Sequence, residues 1–163
     1  MNGSTENRAS DAGAPLDPQQ AVFTLGVARR MLPLLRRIAA DLMEQQRKLA
    51  QLGLEQETLD DQRQTLAWPQ RQRRYQVHEE YAIARRHVEE ALAELEVLGV
   101  TLMDGPQGQL GLPTVVNGKL AYFSWKPGEA TIQYWHFPGE EQRRSIPANW
   151  SESGTTPRKT RKG

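Results

Sequence analysis

The sequence predicts an α+β fold in which a long antiparallel helical hairpin is followed by a small antiparallel β-meander that packs on it. Three observations support this prediction. Apolar residues recur at alternating intervals of three and four along two long segments, a Trp68–Pro69 pair separates these segments, and the apolar period changes to two after Gly99. The segment from 120 to 137 also holds more aromatic side chains than any other part of the chain.

The two termini differ in composition from the rest of the chain. Residues 1–20 combine Gly, Ser, Asn, Asp and Pro with few large apolar side chains, and residues 151–163 are polar and end in a basic cluster. Such segments bury too little apolar surface to offset the entropy lost on ordering. We therefore predict a disordered arm over 1–20, a single domain over 21–150 and a disordered basic tail over 151–163.

The first helix is predicted to begin at Thr24, whose hydroxyl can cap the first turn, with Phe23 packed on that turn. Pro33 removes one backbone hydrogen bond, so we expect a kink there. Gly53 weakens the helical signal, which leaves open whether residues 53–66 continue this helix or form a short separate one. The alternating spacing is typical of a coiled coil, and its positions are Ala28, Leu32, Leu35, Ala39, Leu42, Gln46 and Leu49.

The second helix is predicted to begin at Trp68–Pro69, because the residue before a proline avoids helical dihedrals and proline suits a first turn. Gly99 can adopt left-handed dihedrals and ends the helix. The hairpin therefore spans 24–98, and its early part should pack against residues 88–98. The apolar positions of the second helix are Val77, Tyr81, Ala84, Val88, Ala91, Leu95 and Leu98.

Residues 100–137 are predicted to form a meander of three or four strands, closed by a loop over 138–150. Asn117–Gly118 is a strong hairpin signal, and Pro127–Gly128 predicts a second tight turn. A three-residue loop at that turn would put the two strands one residue out of phase. A loop of two or four residues would instead place on one face Phe123, Trp125, Ile132, Tyr134 and His136.

Composition excludes several function classes. The 163 residues carry a formal net charge of +1 and no cysteine, so the sequence predicts neither a dedicated nucleic-acid binder nor a thiol or thiolate site. No stretch is long and apolar enough to span a bilayer, and the glycine-rich segment 105–111 lacks the lysine and hydroxyl residue of a P-loop. We expect a cytoplasmic protein with no cofactor, no metal site, no membrane contact, and at most weak nucleic-acid contact through its basic tail.

Three segments carry a resemblance to a known family: FTLGVARRMLPLLRRI at 23–38, LGVTLMDGPQGQLGLP at 98–113 and YFSWKPGEATIQYWHF at 122–137. Together they resemble a bacterial and archaeal family catalogued as domain of unknown function 2203. The chain departs from that family's pattern at Met103, where lysine is usual, at Gly111, where an acidic residue often stands, and at Ser124, where cysteine is common. The resemblance implies a soluble prokaryotic domain and implies no activity, substrate or cofactor.

Polar groups near the aromatic strands form a candidate ligand site. Glu129, His136 and Arg143 lie close in sequence to Trp125 and Trp135, and a carboxylate, an imidazole and a guanidinium can bind an anion or transfer protons. Alternatively, these groups have purely structural roles: Glu129 as a turn residue, His136 as a strand-end residue and Arg143 as an ion-pair partner. No catalytic residue is predicted.

The spacing along the strand predicted after the Pro127–Gly128 turn divides these candidates between two places. Glu129 and His136 are seven positions apart, which separates them by roughly 20 Å in an extended chain, so a shared catalytic dyad is not expected. A ligand site is therefore predicted either at the turn, with Trp125 and Glu129, or at the strand end, with His136 and Arg143. We favour the strand end, because an imidazole and a guanidinium attract an anion.

Two functions remain open from the sequence. The favoured one is a non-enzymatic interaction or scaffold protein that self-associates, or binds a protein partner, through its helical hairpin. The alternative is a small anionic-ligand or enzymatic site at the aromatic strands. Self-association, most simply as a dimer, is predicted because the sheet leaves apolar surface uncovered at Leu34, Ile38, Met43 and Leu92.

Overall fold

The computed structural model describes residues 22–150 and 152. The predicted arm over 1–20 and, apart from Glu152, the predicted tail over 151–163 lie outside the described residues. Helix α1 spans Leu25–Asp61 and helix α2 spans Trp68–Leu98. The strands are β1 (Thr101–Asp104), β2 (Gln109–Val116), β3 (Lys119–Trp125), β4 (Tyr134–His136) and β5 (Arg144–Ser145). The chain therefore has the predicted α+β order, a helical hairpin followed by an antiparallel sheet.

Local signals place the helix ends. The Val27 N–H donates to the Thr24 hydroxyl at 3.3 Å, and Gly99 adopts a φ of 76° as its N–H donates to the Glu96 carbonyl. The open question about residues 53–66 is answered, because α1 continues unbroken through Gly53 to Asp61. A Cβ at Gly53 would lie 3.7 Å from the Tyr81 ring, so packing between the helices supports this weak helical position.

The two helices pack antiparallel through two apolar clusters. The larger cluster joins the early part of α1 to the late part of α2 and to the sheet, and it includes Leu32, Leu35, Leu42 and Leu95. The smaller cluster joins the late part of α1 to the early part of α2, and it includes Leu52, Val77 and Ala84. This is the register that a reversal near Trp68 predicts. In the described residues, neither helix is long and apolar enough to cross a membrane.

The sheet is antiparallel throughout, in the order β1-β2-β3-β4-β5. Asn117 and Gly118 both have positive φ, 52° and 76°, and join β2 to β3 in the tight hairpin that their sequence predicts. The face that packs in the larger core cluster includes Leu110, Leu112, Phe123, Trp125 and Trp135. The predicted three or four strands become five, because β5 forms inside the segment predicted to be a closing loop.

The register of β4 decides between the two face assignments that the loop length left open. A turn does form at Pro127–Gly128, where the Glu129 N–H donates to the Lys126 carbonyl at 3.1 Å, but β4 begins only at Tyr134. The register pairs Phe123 with Trp135, Tyr122 with His136, and Ser124 with Tyr134. Tyr134 and His136 therefore lie on the face opposite Phe123 and Trp125, as the out-of-phase alternative requires.

The reason lies in the segment between the turn and β4. The Arg29 guanidinium donates to the Ile132 carbonyl at 3.1 Å, and the Arg36 guanidinium donates to the Ala130 carbonyl. The Ile132 side chain is fully buried in the core. These contacts with α1 hold residues 130–132 out of the sheet, so the length of the tight turn does not set the phase of β4.

Candidate functional site

The polar site beside the sheet is centred on the Arg143 guanidinium, which immediately precedes β5. Its Nη2 and Nη1 atoms lie 2.5 and 3.1 Å from the two carboxylate oxygens of Glu129. Its Nε donates to the Ser124 hydroxyl at 2.9 Å, and Nη2 also donates to the Ser124 carbonyl at 3.0 Å. The cation lies 4.3 Å from the centroid of the Tyr134 ring.

The position of Glu129 explains this convergence. It follows the Pro127–Gly128 turn, and besides the two bonds from Arg143 its carboxylate accepts a third hydrogen bond, from the Lys126 N–H at 2.6 Å. The Arg143 and Glu129 side chains are only 15% and 19% exposed. An arginine has five N–H donors, and four contacts of Arg143 are made within the protein. This ion pair therefore joins the turn after β3 to the residue before β5, and little of the cation remains for an external anion.

His136 lies apart from this ion pair. Its Nδ1 is 2.8 Å from the Phe137 carbonyl, and because a carbonyl can only accept, Nδ1 carries the proton of that bond. Its ring stacks on Tyr122 with 5.8 Å between centroids. His136 is buried, and its Nε2 has no partner within the described residues. The structure thus brings Arg143 to Glu129 at the turn, rather than to His136 at the strand end as we expected.

The two candidate tryptophans belong to the core. Trp125 is almost fully buried, and its indole N–H donates to the Glu129 carbonyl at 3.0 Å. Trp135 is also buried and packs edge-on against Phe137 and at a tilt on Trp150. Buried indole rings offer little surface on which a ligand could stack. The ligand-binding role of Trp125, Glu129, Trp135, His136 and Arg143 remains a prediction.

The three positions that depart from the pattern of the resembled family lie together. Gly111 on β2 pairs with Ser124 on β3, and a Cβ at Gly111 would collide with the Met103 side chain. The Gln109 side chain donates to the Ser124 hydroxyl at 2.9 Å, beside the bond from Arg143. Met103 thus covers the space that Gly111 leaves open. Lysine, carboxylate and thiol chemistry at these three positions is not possible in this chain.

Ion pairs fasten the far end of the hairpin. The Arg73 guanidinium contacts Glu55 at 2.6 and 2.9 Å, and Arg74 contacts Asp60 at 2.6 Å. The hydrogen bond from Arg73 lowers the pKa of Glu55, and the hydrogen bond from Arg74 lowers the pKa of Asp60. A groove of about 410 Å³ between the helices includes Arg73 and Glu55 in its lining. Because these charges neutralise each other, the groove has little net attraction for an ionic ligand.

A different kind of candidate site lies on the solvent-exposed side of α2, next to the groove between the helices, whose lining includes Ile83. Four large apolar side chains are exposed there: Trp68 at 69%, Tyr75 at 73%, Ile83 at 40% and Val97 at 87%. Their spacings of 7, 8 and 14 residues are close to whole numbers of helical turns, so they share one face of the helix. We call these four residues the outward stripe. Its spacing is visible in the sequence, but the apolar positions predicted for the second helix follow only the period of the side that packs on α1.

The apolar surface that was predicted instead is only partly exposed. Leu34 and Leu92 are exposed as expected. The prediction was wrong for Ile38, which is 4% exposed and packs in the core that α1 forms with the sheet. Met43 is half-buried and lies against Gly108 in the loop between β1 and β2. The sheet therefore covers more of α1 than expected, and the outward stripe of α2 carries the larger exposed side chains.

No group of three or more histidine, aspartate or glutamate side chains that could hold a metal ion occurs within residues 22–150 and 152. Comparison with known proteins gives one match. A family model described as "Uncharacterized conserved protein (DUF2203)" matches residues 21–146. No curated protein matches the chain, and no solved structure matches it.

Proposed function

Since the chain belongs to the DUF2203 family of uncharacterized conserved proteins, we propose its function from the geometry: it is a non-enzymatic interaction protein that self-associates through the outward stripe of α2. The observation that carries this proposal is the exposure of Trp68, Tyr75, Ile83 and Val97 on one face of one helix. Surface apolar residues scattered singly are normal, whereas an aligned set that includes two aromatic rings is typical of a protein interface.

The packing of the hairpin supports the proposal. The opposite side of α2 is occupied by α1 through Val77, Ala84 and Leu95, all of which are buried. The sheet shares its apolar core with seven buried residues of α1 but only one of α2, Leu95. The α2 helix contacts the sheet at β1, near the end of the helix. Most of the length of α2 therefore presents its outward stripe to solvent, where a straight helical surface can receive another helix.

The bonding of the alternative site also supports an interaction protein over a ligand binder. An anion that enters beside Arg143 must compete with the Glu129 carboxylate, which already contacts two nitrogens of the guanidinium. His136 stacks on Tyr122 and bonds to its neighbouring carbonyl. The Arg143 guanidinium and the Nδ1 atom of His136 are thus already engaged by groups of the protein itself.

The test is a comparison of two charge-introducing variants by light scattering after size-exclusion chromatography. Ile83→Glu places a carboxylate in the proposed interface, where it would be desolvated, and we expect it to weaken self-association at least about tenfold. The control is Leu54→Glu, because Leu54 is a 68% exposed apolar residue on α1, outside the outward stripe. If both variants keep the molar mass of the unmodified protein, α2 is not the interface.

A further inference from the structure

The order of charges along α2 indicates how two copies meet. Resting on the self-association proposed above, we propose that two α2 helices pack antiparallel, related by a two-fold axis that passes between Ala82 and Ile83. The partner is thus a second copy of this chain, bound in a defined orientation and register.

Charges of the two signs alternate in blocks along the helix. Residues 68–78 contain three arginines and no acidic residue, and residues 88–98 contain four glutamates and no basic residue. Between them, Glu79 and Glu80 precede Arg85 and Arg86. A parallel partner in register would place every block against its own sign. An antiparallel partner places each block against the opposite sign, which favours the antiparallel arrangement over the parallel one.

The same axis aligns the apolar residues. With the axis between Ala82 and Ile83, Trp68 lies level with the partner's Val97. Those two residues are the ends of the outward stripe, and both are strongly exposed. The two positions are equally far from the axis, so one register satisfies both ends of the stripe at once.

Glu79 and Arg86, near the middle of α2, are available to form ion pairs with a second copy. This register sets Glu79 level with the partner's Arg86, and the symmetry repeats that pair. Both side chains are exposed, and within the part of the chain that the structure describes neither has an ion-pair partner. Arg73 and Arg74, by contrast, are already paired with Glu55 and Asp60 on α1. Glu79 and Arg86 of the two copies therefore determine the orientation more than Arg73 and Arg74 do.

The sequence has no cysteine, so single introduced cysteines report the register without background. Ala82 and Ala93 are a matched pair, because both are exposed alanines of α2 that lie 11 positions, about three helical turns, apart on one face. In the antiparallel register, position 82 lies next to the partner's position 82. Position 93 is separated from the partner's position 93 by 21 residues along the helix, about 32 Å, whereas a disulfide needs Cβ atoms within about 4.5 Å.

The experiment oxidises Ala82→Cys and Ala93→Cys separately in the full chain and follows covalent dimers on a non-reducing gel. We expect Ala82→Cys to cross-link and Ala93→Cys not to. Gln72 lies level with the partner's Ala93, so a mixture of Gln72→Cys and Ala93→Cys should give a mixed covalent dimer. Equal cross-linking of both single variants would show a parallel pair and overturn the inference.

A measurement of molar mass on the same reduced samples separates the two proposals. If the samples are dimers but Ala93→Cys cross-links as well as Ala82→Cys does, self-association stands and the antiparallel arrangement fails. If the samples are dimers and none of the cysteines cross-links, another surface forms the contact, and both the stripe and the register fail. If the reduced samples are monomers, and the unmodified protein is a monomer too, the proposed function itself fails.

Discussion

Arg143 and Glu129 form a two-point ion pair between the residue that precedes β5 and the turn that follows β3, with contacts of 2.5 and 3.1 Å. Because both side chains are largely buried, removing one partner leaves the other charge with poor solvation. The ion pair thus holds the edge of the sheet, where β5 has only two residues.

We predict that Arg143→Met destabilises the protein by about 3 kcal/mol, the lower end of what the loss of one partner of a buried pair costs, because this pair retains some solvent contact. The matched control is Arg144→Met, which removes the neighbouring arginine from its more exposed contact with Glu140 and should cost at most about 1 kcal/mol. Urea denaturation measures both. Equal midpoints for the two variants would show that Arg143 is not the residue that holds the edge.

The sequence predicts the helix ends and the tight turn of the β2–β3 hairpin, because these features depend on local residues. Thr24, Gly99 and the Asn117–Gly118 pair act through their own backbone dihedrals and nearest hydrogen bonds, so their roles are visible without the fold. The phase of β4 is different, because contacts of Arg29 and Arg36 with residues 130–132 set it, and these residues are far apart in sequence.

The site was harder to predict for the same reason. Arg143 reaches Glu129 only because β5 pairs with β4, and a strand of two residues leaves no periodic signal. The outward stripe, in contrast, was visible in the spacing of Trp68, Tyr75 and Ile83. Whether these residues are exposed depends on which side of α2 packs on α1. That side is known only from the packing of the two helices.

The pKa of Glu140 predicts an acid-sensitive loop. Its carboxylate accepts a hydrogen bond from the Phe137 N–H at 3.1 Å and contacts Arg144, and these interactions lower its pKa from an ordinary value of 4.5. A carboxyl whose pKa is lower in the folded state stabilises the protein above its unfolded pKa, and this contribution is lost as the pH falls through the folded value.

We therefore expect Glu140→Gln to lower the thermal midpoint at pH 7, and the difference from the unmodified protein to shrink as the pH falls below about 4.5. Thermal melts across this pH range measure the effect. Glu141→Gln is the control, since Glu141 is the adjacent exposed glutamate and should show little difference at any pH. A difference for Glu140→Gln that does not change with pH would contradict the role assigned to its carboxylate.

Charge reversal tests the antiparallel arrangement by a second route. Glu79→Arg sets an arginine level with the partner's Arg86 and should weaken the dimer, while Glu79→Arg combined with Arg86→Glu restores opposite charges and should recover most of the affinity. Sedimentation equilibrium at low salt gives the dissociation constants, and Glu57→Arg on exposed α1 surface is the control. If the double variant is as weak as the single one, Glu79 and Arg86 do not face each other.

The most direct test of self-association through α2 is the molar mass of the unmodified chain, measured by sedimentation over a wide range of protein concentration. The chain has a mass of 18.5 kDa. We predict a mass that rises with concentration toward twice this value and stops there, because an isologous contact between two helices closes on itself. A mass that stays at that of one chain over the whole range would contradict the proposed function.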